Sequence, residues 1–403
     1  MLPTLSQRIA QLQPSPTVAL NSKAKELAEQ GHKIINFSVG EPDFPTPDVI
    51  VQAAIKALQA GKTRYGAAGG GLPLRKAIVE KLEKENALTY KPEQIVVGIG
   101  AKEILFHLAL ACFNPGDEVL IPAPYWVSYT EHVVAAGATP IVIPMPTDHK
   151  APRLTAEMVR PYVTARTKGI MITSPSNPGG FVIPPDEMKA LGDYLSDKNW
   201  WIISDEIYEY MSFDGPSISM ATLCPGVRDR FIVVNGFSKA YAMTGWRVGY
   251  MAGPKPVADL VRTLQTQSST SLPPFIEEGA LEALRHGKEL MAEQMKVLRH
   301  RRDLAVSILK QYPELDMLPP NGAFYVYIDL RKVLAKSALY AKDNSLDFSK
   351  KLLETYHVAM VPGEAFGTPG FIRLSYAVHD DTLIEGLKRL GDALVEIGAK
   401  RTA

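Results

Sequence analysis

Short apolar runs recur along the first part of the chain, and longer segments with apolar residues at helical spacing lie between them. Six of the runs have the length and residue types of buried strands: 95–99, 118–122, 140–144, 169–173, 201–204 and 231–234. Strands that alternate with helices usually form a mainly parallel sheet with helices on both faces. The pattern therefore predicts an α/β fold in which ligands bind at the carboxyl ends of the strands.

The pattern changes towards the C-terminus. A long helical segment over 288–311 has no helix breaker, which is typical of a helix that joins two domains. Beyond it, 322–329 and 371–376 alternate apolar and polar residues, as the paired strands of a hairpin do. We therefore predict a large domain over 47–290 and a smaller C-terminal domain over 291–403.

The N-terminal segment over 1–16 is expected to be an extended arm, because Pro14 and Pro16 disfavour a helix there. A helix over 18–29 follows, and we group the whole of 1–46 with the small domain. An arm with nothing of its own to bury is expected to pack on another surface.

Composition excludes only a few classes of function. The chain of 403 residues is 46% hydrophobic and 22% charged, and its net charge of +1 gives no attraction to nucleic acid or to an anionic membrane. Cys112 and Cys224 show neither a disulfide framework nor metal-ligand spacing. The N-terminus lacks the pattern of a signal peptide, and no stretch approaches the roughly 20 apolar residues of a membrane span, so we expect a cytoplasmic protein.

The most informative stretch is Asn235-Gly-Phe-Ser-Lys-Ala-Tyr-Ala-Met-Thr-Gly-Trp-Arg-Val-Gly-Tyr250, which follows the apolar run 231–234. A solvated lysine is the ordinary interpretation of Lys239 taken alone. Here, however, a hydroxyl at Ser238, two small residues and a guanidinium at Arg247 accompany it. An amine that forms a Schiff base needs such neighbours if its carbonyl partner carries a phosphate.

Two further strand ends carry polar side chains. The run 201–204 is followed by Asp205-Glu-Ile-Tyr208, and the run 169–173 by Ser174-Pro-Ser-Asn-Pro-Gly-Gly180. Pyridoxal phosphate requires an acid at its pyridinium nitrogen and benefits from a hydroxyl near its phenolate oxygen. Asp205 and Tyr208 match these two requirements, and Asn177 supplies an amide close by.

The order Ser-Asn-Pro-x-Gly, Asp-Glu-Ile-Tyr and Ser-Lys-x-x-x-Met-x-Gly-Trp-Arg resembles the class I/II aminotransferases of pyridoxal-phosphate fold type I. The resemblance extends from Pro14 to about Leu390. It implies a mainly parallel seven-stranded sheet with helices on both faces, and a smaller α+β domain. It also implies a homodimer with shared active sites, in which the arm lies across a partner subunit or the mouth of the active site.

The resemblance implies that the cofactor is pyridoxal 5′-phosphate, bound to Lys239 as a Schiff base. Lys239 would also move the proton during a ping-pong amino transfer. Asp205 would keep the ring nitrogen protonated, while Asn177 and Tyr208 would hydrogen-bond the phenolate oxygen. The other residues expected to bind the cofactor are Gly100, Ala101, Lys102, Trp126, Ser238, Arg247 and, from the partner subunit, Tyr65.

Two glycine-containing segments mimic nucleotide-binding motifs. Gly61-Lys-Thr63 lacks the glycine that a phosphate-binding loop needs, because Lys56 stands at that position. The segment 95–103 partly mimics a dinucleotide fingerprint, but Glu103 occupies the third glycine position. We reject both motifs, although backbone N–H groups at a helix start still bind phosphate, as we expect at Gly100.

Three positions have alternative interpretations from the pattern alone. Trp126 follows a strand, where an aromatic residue usually belongs to the core. Gly40 precedes a Glu-Pro turn and is equally well explained as a turn glycine. Arg373 either lies on the surface of an edge strand or binds a buried anion. The resemblance favours roles in binding: Trp126 stacks on the pyridine ring, while Arg373, the Gly40 backbone and Asn177 orient the substrate α-carboxylate.

The resemblance is closest to prokaryote-type aspartate aminotransferases, some of which also use prephenate. The resemblance implies that a lysine in the glycine turn meets the distal carboxylate of the substrate, and Lys102 and Thr17 match that group here. Members that use prephenate resemble each other in a Lys or Arg where this chain has Gln13. We therefore expect good use of aspartate and glutamate, and weak or absent use of prephenate. Gly179 stands where Thr is more usual and has no functional interpretation.

Other functions remain open from the sequence. An aminotransferase for prephenate, or for aromatic or other neutral amino acids, would carry the same motifs. A lyase or synthase on this scaffold would keep Lys239. A transcription regulator that senses pyridoxal phosphate would carry an N-terminal winged-helix domain, whereas the first predicted helix here begins at residue 18.

Overall fold

The structure of the chain is a computed structural model that describes residues 5–144, 146, 153–337 and 344–401. Residues 1–4 of the predicted arm lie outside the described residues. The α-helices within these ranges are α1 (Pro16–Glu29), α2 (Asp48–Gln59), α3 (Leu72–Asn86), α4 (Gly100–Cys112), α5 (Ser128–Ala135), α6 (Ala156–Val159), α7 (Pro185–Leu195), α8 (Met220–Leu223), α9 (Lys255–Gln267), α10 (Pro274–Arg285), α11 (Gly287–Leu309), α12 (Arg331–Leu334), α13 (Ser345–Tyr356) and α14 (Asp380–Glu396). The strands are β1 (Ile35–Asn36), β2 (Ile95–Ile99), β3 (Glu118–Ala123), β4 (Thr139–Pro144), β5 (Thr167–Thr173), β6 (Trp201–Asp205), β7 (Phe231–Gly236), β8 (Val248–Ala252), β9 (Asp316–Met317), β10 (Tyr325–Asp329), β11 (Val358–Ala359), β12 (Val361–Pro362) and β13 (Phe371–Ser375).

A seven-stranded sheet with the order β2-β8-β7-β6-β5-β3-β4 forms the centre of the molecule. Only β8 is antiparallel to its neighbours, so the expectation of a mainly parallel sheet is confirmed. The six strands predicted from the apolar runs are all present in it. We did not predict β8 from the pattern, although its five residues are an apolar run that directly follows Arg247.

Helices cover both faces of this sheet, as expected. On β2, Ile95 and Val97 belong to one hydrophobic cluster and Val96 to the other, because successive side chains of a strand point to opposite faces. Apolar residues of α3, α7 and α10 pack in the first cluster, and those of α4, α5 and α9 in the second. A strand buried on both sides needs apolar residues throughout, which explains the continuous runs in the sequence.

A smaller sheet has the order β12-β13-β10-β9. The two strands that we compared with a hairpin, β10 and β13, do pair antiparallel, with Tyr327 opposite Arg373. They are not a hairpin, however, because residues 330–370 lie between them. Strand β13 also pairs with β12 on its other side, which excludes the interpretation of Arg373 as a surface residue on an edge strand.

The prediction that Pro16 belongs to the extended arm is wrong, since Pro16 is the first residue of α1. Proline suits that position because its missing N–H has no partner in the first turn of a helix. Residues Ile9–Gln11 also form a short 3₁₀ turn rather than extended chain. Strand β1 pairs with β11, which is compatible with grouping 1–46 with the small domain. The domain boundaries themselves stay a prediction.

Candidate active site

A cavity of about 280 Å³ lies at the carboxyl ends of the central strands. Many of the residues predicted to bind cofactor or substrate line it: Thr17, Gly40, Ala101, Lys102, Trp126, Asn177, Asp205, Tyr208, Ser238, Lys239, Arg247 and Arg373. The carboxyl ends of neighbouring parallel strands meet at one edge of a sheet, which explains this convergence. Asn177 follows β5, Asp205 ends β6 and Lys239 follows β7.

Lys239 lies in the cavity, where its Nζ donates a hydrogen bond to the Gly40 carbonyl over 2.5 Å. Burial lowers the pKa of Lys239 to about 8, and the guanidinium groups of Arg373 and Arg247 lower it as well. The carboxylates of Glu41 and Asp205 act in the opposite direction. The amine is therefore partly neutral near physiological pH, as a nucleophile or general base requires.

Asp205 is 6% exposed, and its two oxygens have different partners. The Tyr129 hydroxyl donates to Oδ2 over 2.7 Å, and the Ile207 N–H donates to Oδ1 over 3.3 Å. Burial raises the pKa of Asp205 to about 6, while these hydrogen bonds and nearby Lys239 oppose the rise. We did not predict Tyr129, because an aromatic residue in an apolar helix shows no signal beyond that of a core residue.

Tyr208 connects the two sheets. Its hydroxyl lies 2.7 Å from the hydroxyl of Tyr325, which belongs to β10 of the small sheet. Tyr325 also lines the cavity, and a Cβ at Gly40 would lie 2.6 Å from its hydroxyl oxygen. Only glycine therefore allows the chain at position 40 to approach Tyr325 so closely. Sequence analysis missed Tyr325 because a tyrosine in an alternating strand is ordinary.

Arg373 is 3% exposed and makes contacts that position its guanidinium. Its Nη1 donates to Asn177 Oδ1 over 2.8 Å, and its Nη2 donates to the Ser38 carbonyl over 2.5 Å. The guanidinium also lies 4.6 Å from the ring centre of Tyr325. The buried Nε has no hydrogen-bond partner among the described residues. A buried cation with an unsatisfied donor, and with no carboxylate partner in the described part of the chain, favours binding of an anionic ligand.

An anion-binding corner lies at the start of α4. Gly100, whose φ is +80°, leaves room for Arg247, since a Cβ there would lie 2.5 Å from Arg247 Nη2. Arg247 Nη1 donates to the Thr244 carbonyl over 2.9 Å, which holds the guanidinium beside the helix start. Ala101 and Ser238 line the cavity here. Free N–H groups at a helix N-terminus, a guanidinium and a hydroxyl together suit a phosphate.

Lys102 and Trp126 form one side of the cavity. The Lys102 Nζ lies 4.9 Å from the centre of the Trp126 ring, a cation–π contact. Burial, with Arg247 nearby, lowers the pKa of Lys102. Ser15 and Thr17 line the cavity as well, so the end of the arm and the start of α1 contribute to its wall.

The residues of this cavity fit pyridoxal phosphate, the cofactor that the sequence implied. They offer an amine at Lys239, a buried carboxylate at Asp205 and, at the start of α4, a corner that only glycine at position 100 leaves open. Tyr65 is not brought to the cavity of its own chain and is 89% exposed. Gly179 has a steric explanation, since a Cβ there would lie 2.2 Å from the Phe181 ring.

Comparison with known proteins agrees with this chemistry. Residues 32–390 match the family described as Aminotransferase class I and II. The chain is 43% identical to a "Probable aspartate/prephenate aminotransferase" of Aquifex aeolicus, over 98% of this chain and 99% of that protein. It is 39% identical to an "Aspartate aminotransferase" of Geobacillus stearothermophilus, over 96% of this chain and 98% of that one. A solved structure of the Thermus thermophilus aspartate aminotransferase with maleate is similar with a TM-score of 0.90 and 37% identity, covering 97% of this chain and 100% of that chain.

None of the described helices is long and apolar enough to cross a lipid bilayer.

Proposed function

This chain belongs to the class I and II aminotransferases, and we propose that it moves an amino group between aspartate or glutamate and 2-oxo acids. With aspartate and 2-oxoglutarate as substrates, the products are oxaloacetate and glutamate. One observation carries the proposal: in a single cavity the amine of Lys239 lies together with Arg373 and Lys102, two cationic side chains in addition to Arg247 at the start of α4. Two cations suit a substrate with two carboxylates.

Pyridoxal phosphate is the cofactor of this family and, when bound, withdraws electrons from the α-carbon of the amino acid. Lys239 is the residue proposed to carry it and to move the proton. Its Nζ would take the proton from the α-carbon of the amino acid as a general base. It would then donate the proton to carbon C4′ of the cofactor as a general acid. The lowered pKa of about 8 supports this role, because a strongly basic amine would stay protonated.

Asp205 is proposed to hold the proton on the ring nitrogen. The hydrogen bond from Tyr129 favours the ionised carboxylate. A cation at the ring nitrogen would also oppose the rise in the pKa of Asp205 that burial causes, since opposite charges at short range stabilise each other. Tyr129 is a positioning residue in this proposal, because it acts on Asp205 rather than on the substrate.

Arg373 is proposed to bind the α-carboxylate of the substrate, together with Asn177 and the backbone at Gly40. The unsatisfied Nε and the rigid contacts of the other two guanidinium nitrogens support this assignment. The distal carboxylate is assigned to Lys102, with a hydrogen bond from Thr17. Trp126 fixes the plane of the ring, and Ser238, Arg247 and the start of α4 at Gly100 and Ala101 hold the phosphate.

Prephenate is a second candidate substrate, because relatives such as the Aquifex aeolicus protein are named for both aspartate and prephenate. The residue at position 13 leads us to expect inefficient use of prephenate. Gln13 brings no cation to the arm, and its backbone N–H donates over 2.8 Å to the carboxylate of Glu131. A second carboxylate on a bulkier ring would gain no positive charge from position 13.

A homodimer with shared active sites is part of the proposal. Tyr65 is 89% exposed, and two apolar side chains within seven positions of it along the chain, Leu58 and Leu72, are 44% and 47% exposed. A surface of this kind is expected to be covered by another subunit. Tyr65 would then reach the phosphate in the neighbouring active site. We also propose that residues 47–290 form the large domain and that 1–46 and 291–403 form the small one.

An assay of amino transfer to 2-oxoglutarate across a panel of amino donors tests this function, with prephenate as an acceptor in parallel. We expect aspartate to be the best donor, with prephenate weak or inactive. No transfer from any donor, despite bound cofactor, would favour a lyase or synthase. Preference for a neutral or aromatic donor would leave the aminotransferase assignment intact and overturn the assignment of Lys102.

A further inference from the structure

A buried polar cluster connects helix α3 to the chain at β6 and β7 and takes no part in the chemistry described above. It consists of Lys81 and Asn86 from α3, Glu209 from the turn after β6, and Asn235 from β7, and we call it the Glu209 cluster. The side chains of Lys81 and Glu209 are only 5% and 9% exposed. A buried ion pair costs desolvation and adds little stability over apolar packing, so this one invites another explanation.

Each member of the Glu209 cluster has a defined partner. Glu209 Oε1 accepts from Lys81 Nζ and, over 2.8 Å, from Asn235 Nδ2. Glu209 Oε2 accepts from Asn86 Nδ2 over 2.8 Å, and Asn86 Oδ1 in turn accepts from Lys81 Nζ over 2.8 Å. The network fixes the orientation of both asparagine amides. If either amide were flipped, its nitrogen would lie against a donor and its oxygen against an acceptor.

The Glu209 cluster joins the two segments that carry the cofactor-binding groups. Glu209 directly follows Tyr208 in a turn closed by the Met211 N–H, which donates to the Tyr208 carbonyl over 2.7 Å. Asn235 lies in β7, just before the segment with Ser238 and Lys239. Its Oδ1 accepts from the Gly236 N–H over 2.7 Å, so the side chain is held at both ends.

We propose that Asn235, acting through Glu209, is a positioning residue that holds the Tyr208 hydroxyl in register with Lys239. The proposal rests on the proposed function, in which Tyr208 donates a hydrogen bond to the phenolate oxygen of the cofactor. That hydrogen bond stabilises the ionised phenolate and therefore lowers the pKa of the chromophore that the cofactor forms with Lys239. Loss of the link at Asn235 weakens the hydrogen bond and raises this pKa.

The first test is Asn235→Ala in the holoenzyme, which leaves Lys81 and Asn86 as partners of Glu209. A spectrophotometric titration should show the chromophore pKa raised by about half a unit to one unit, as expected from one weakened hydrogen bond. The turnover number should fall several-fold, with little change in KM, because Asn235 is not among the residues that line the cavity. An unchanged chromophore pKa in a folded Asn235→Ala enzyme overturns the proposal.

Two companion variants separate positioning from general damage to the fold. Glu85→Gln is the matched control, since Glu85 lies on the same helix and accepts from Tyr210 of the same turn, whereas the side-chain hydrogen bonds seen for Asn235 among the described residues go to Glu209 and Gly236. It should leave the chromophore pKa unchanged. In a Tyr208→Phe background, Asn235→Ala should add no further shift, because it acts through the hydroxyl that is already missing. A full additional shift there contradicts the proposal.

A second pair of variants, which moves the carboxylate from position 209 to position 86, tests the proposal if Asn235→Ala does not fold. Glu209→Gln alone places an amide nitrogen against the amide donor of Asn86 and removes the carboxylate that pairs with Lys81. The chromophore pKa should therefore rise. Glu209→Gln with Asn86→Asp restores one carboxylate and reverses the direction of one hydrogen bond, so the pKa should return to the wild-type value. Failure of this rescue in a folded double variant would refute the role of the cluster. A wild-type enzyme without cofactor on Lys239 would instead refute the proposed function itself.

Discussion

Arg373 Nη1 donates to Asn177 Oδ1 over 2.8 Å, although the two residues are 196 positions apart in the chain. The contact joins β13 of the small sheet to the loop after β5 of the large sheet. The same guanidinium donates to the carbonyl of Ser38, so three distant segments meet at one cation. The proposed carboxylate site therefore exists only when both sheets are correctly packed against each other.

We expect Lys239→Ala to abolish amino transfer and to prevent covalent attachment of the cofactor. Only an amine that has formed a Schiff base is linked irreversibly to pyridoxal phosphate on reduction with borohydride. Mass spectrometry of the reduced and digested protein measures the attachment directly. Lys102→Ala is the control, since it removes the other lysine of the cavity and should retain the modified peptide at Lys239. A reduced adduct in Lys239→Ala would place the cofactor elsewhere.

Asp205→Asn should bind the cofactor but lose most of its turnover, by about 100-fold or more, because a neutral amide no longer stabilises a protonated ring nitrogen. Tyr129→Phe should lose about tenfold or less, since it removes one hydrogen bond to the carboxylate. Single-turnover kinetics with aspartate compare the two. A Tyr129→Phe enzyme as slow as Asp205→Asn would mean that Tyr129 has a direct role.

The rate of cofactor attachment to the cofactor-free protein should rise with pH, with a midpoint near pH 8, and reach a plateau at higher pH. The neutral amine is the nucleophile, and burial lowers the pKa of Lys239 to about 8. Glu41→Gln should move the midpoint to lower pH, because the carboxylate of Glu41 raises this pKa. Stopped-flow absorbance measures the rate, with Glu26→Gln on the surface of α1 as the control. A midpoint shifted to higher pH by Glu41→Gln would contradict the assignment.

Lys102→Ala should lower kcat/KM for aspartate by about 100-fold and leave that for alanine within about threefold. A buried carboxylate without a cation costs several kcal/mol, whereas alanine has no distal carboxylate to lose a partner. Steady-state kinetics with both donors give the ratio, which is the informative quantity. An equal loss for both donors would show that Lys102 serves the cofactor rather than the distal carboxylate.

Mixing Lys239→Ala with Tyr65→Phe should restore activity beyond that of either protein alone. In a hybrid dimer, one site combines the intact Lys239 of one subunit with the intact Tyr65 of the other. Subunit exchange is verified with two distinct affinity tags. As a control, the double variant Lys239→Ala/Tyr65→Phe mixed with wild type should not gain activity. Exchange without complementation would argue for sites contained within one subunit.

The strands of the large sheet could be predicted because burial on both faces leaves a local trace, a continuous apolar run. The same reasoning located Asp205, Asn177 and Lys239, since ends of parallel strands converge at one edge of the sheet. Strand β8 escaped prediction because its run directly continues the motif around Arg247, with no turn signal between them. The start of α1 at Pro16 was missed because proline was taken only as a helix breaker.

Other features of the site depended on the tertiary structure. The hydrogen bond between Tyr129 and Asp205 spans 76 positions, and the contact between Tyr208 and Tyr325 spans 117. Tyr129 and Tyr325, which sequence analysis missed, both have the sequence pattern of ordinary core residues. Whether Arg373 was exposed or buried also depended on β12, which pairs with the free side of β13. Periodicity reports the burial of one element, whereas the partner of a buried polar atom is decided by which elements pack together.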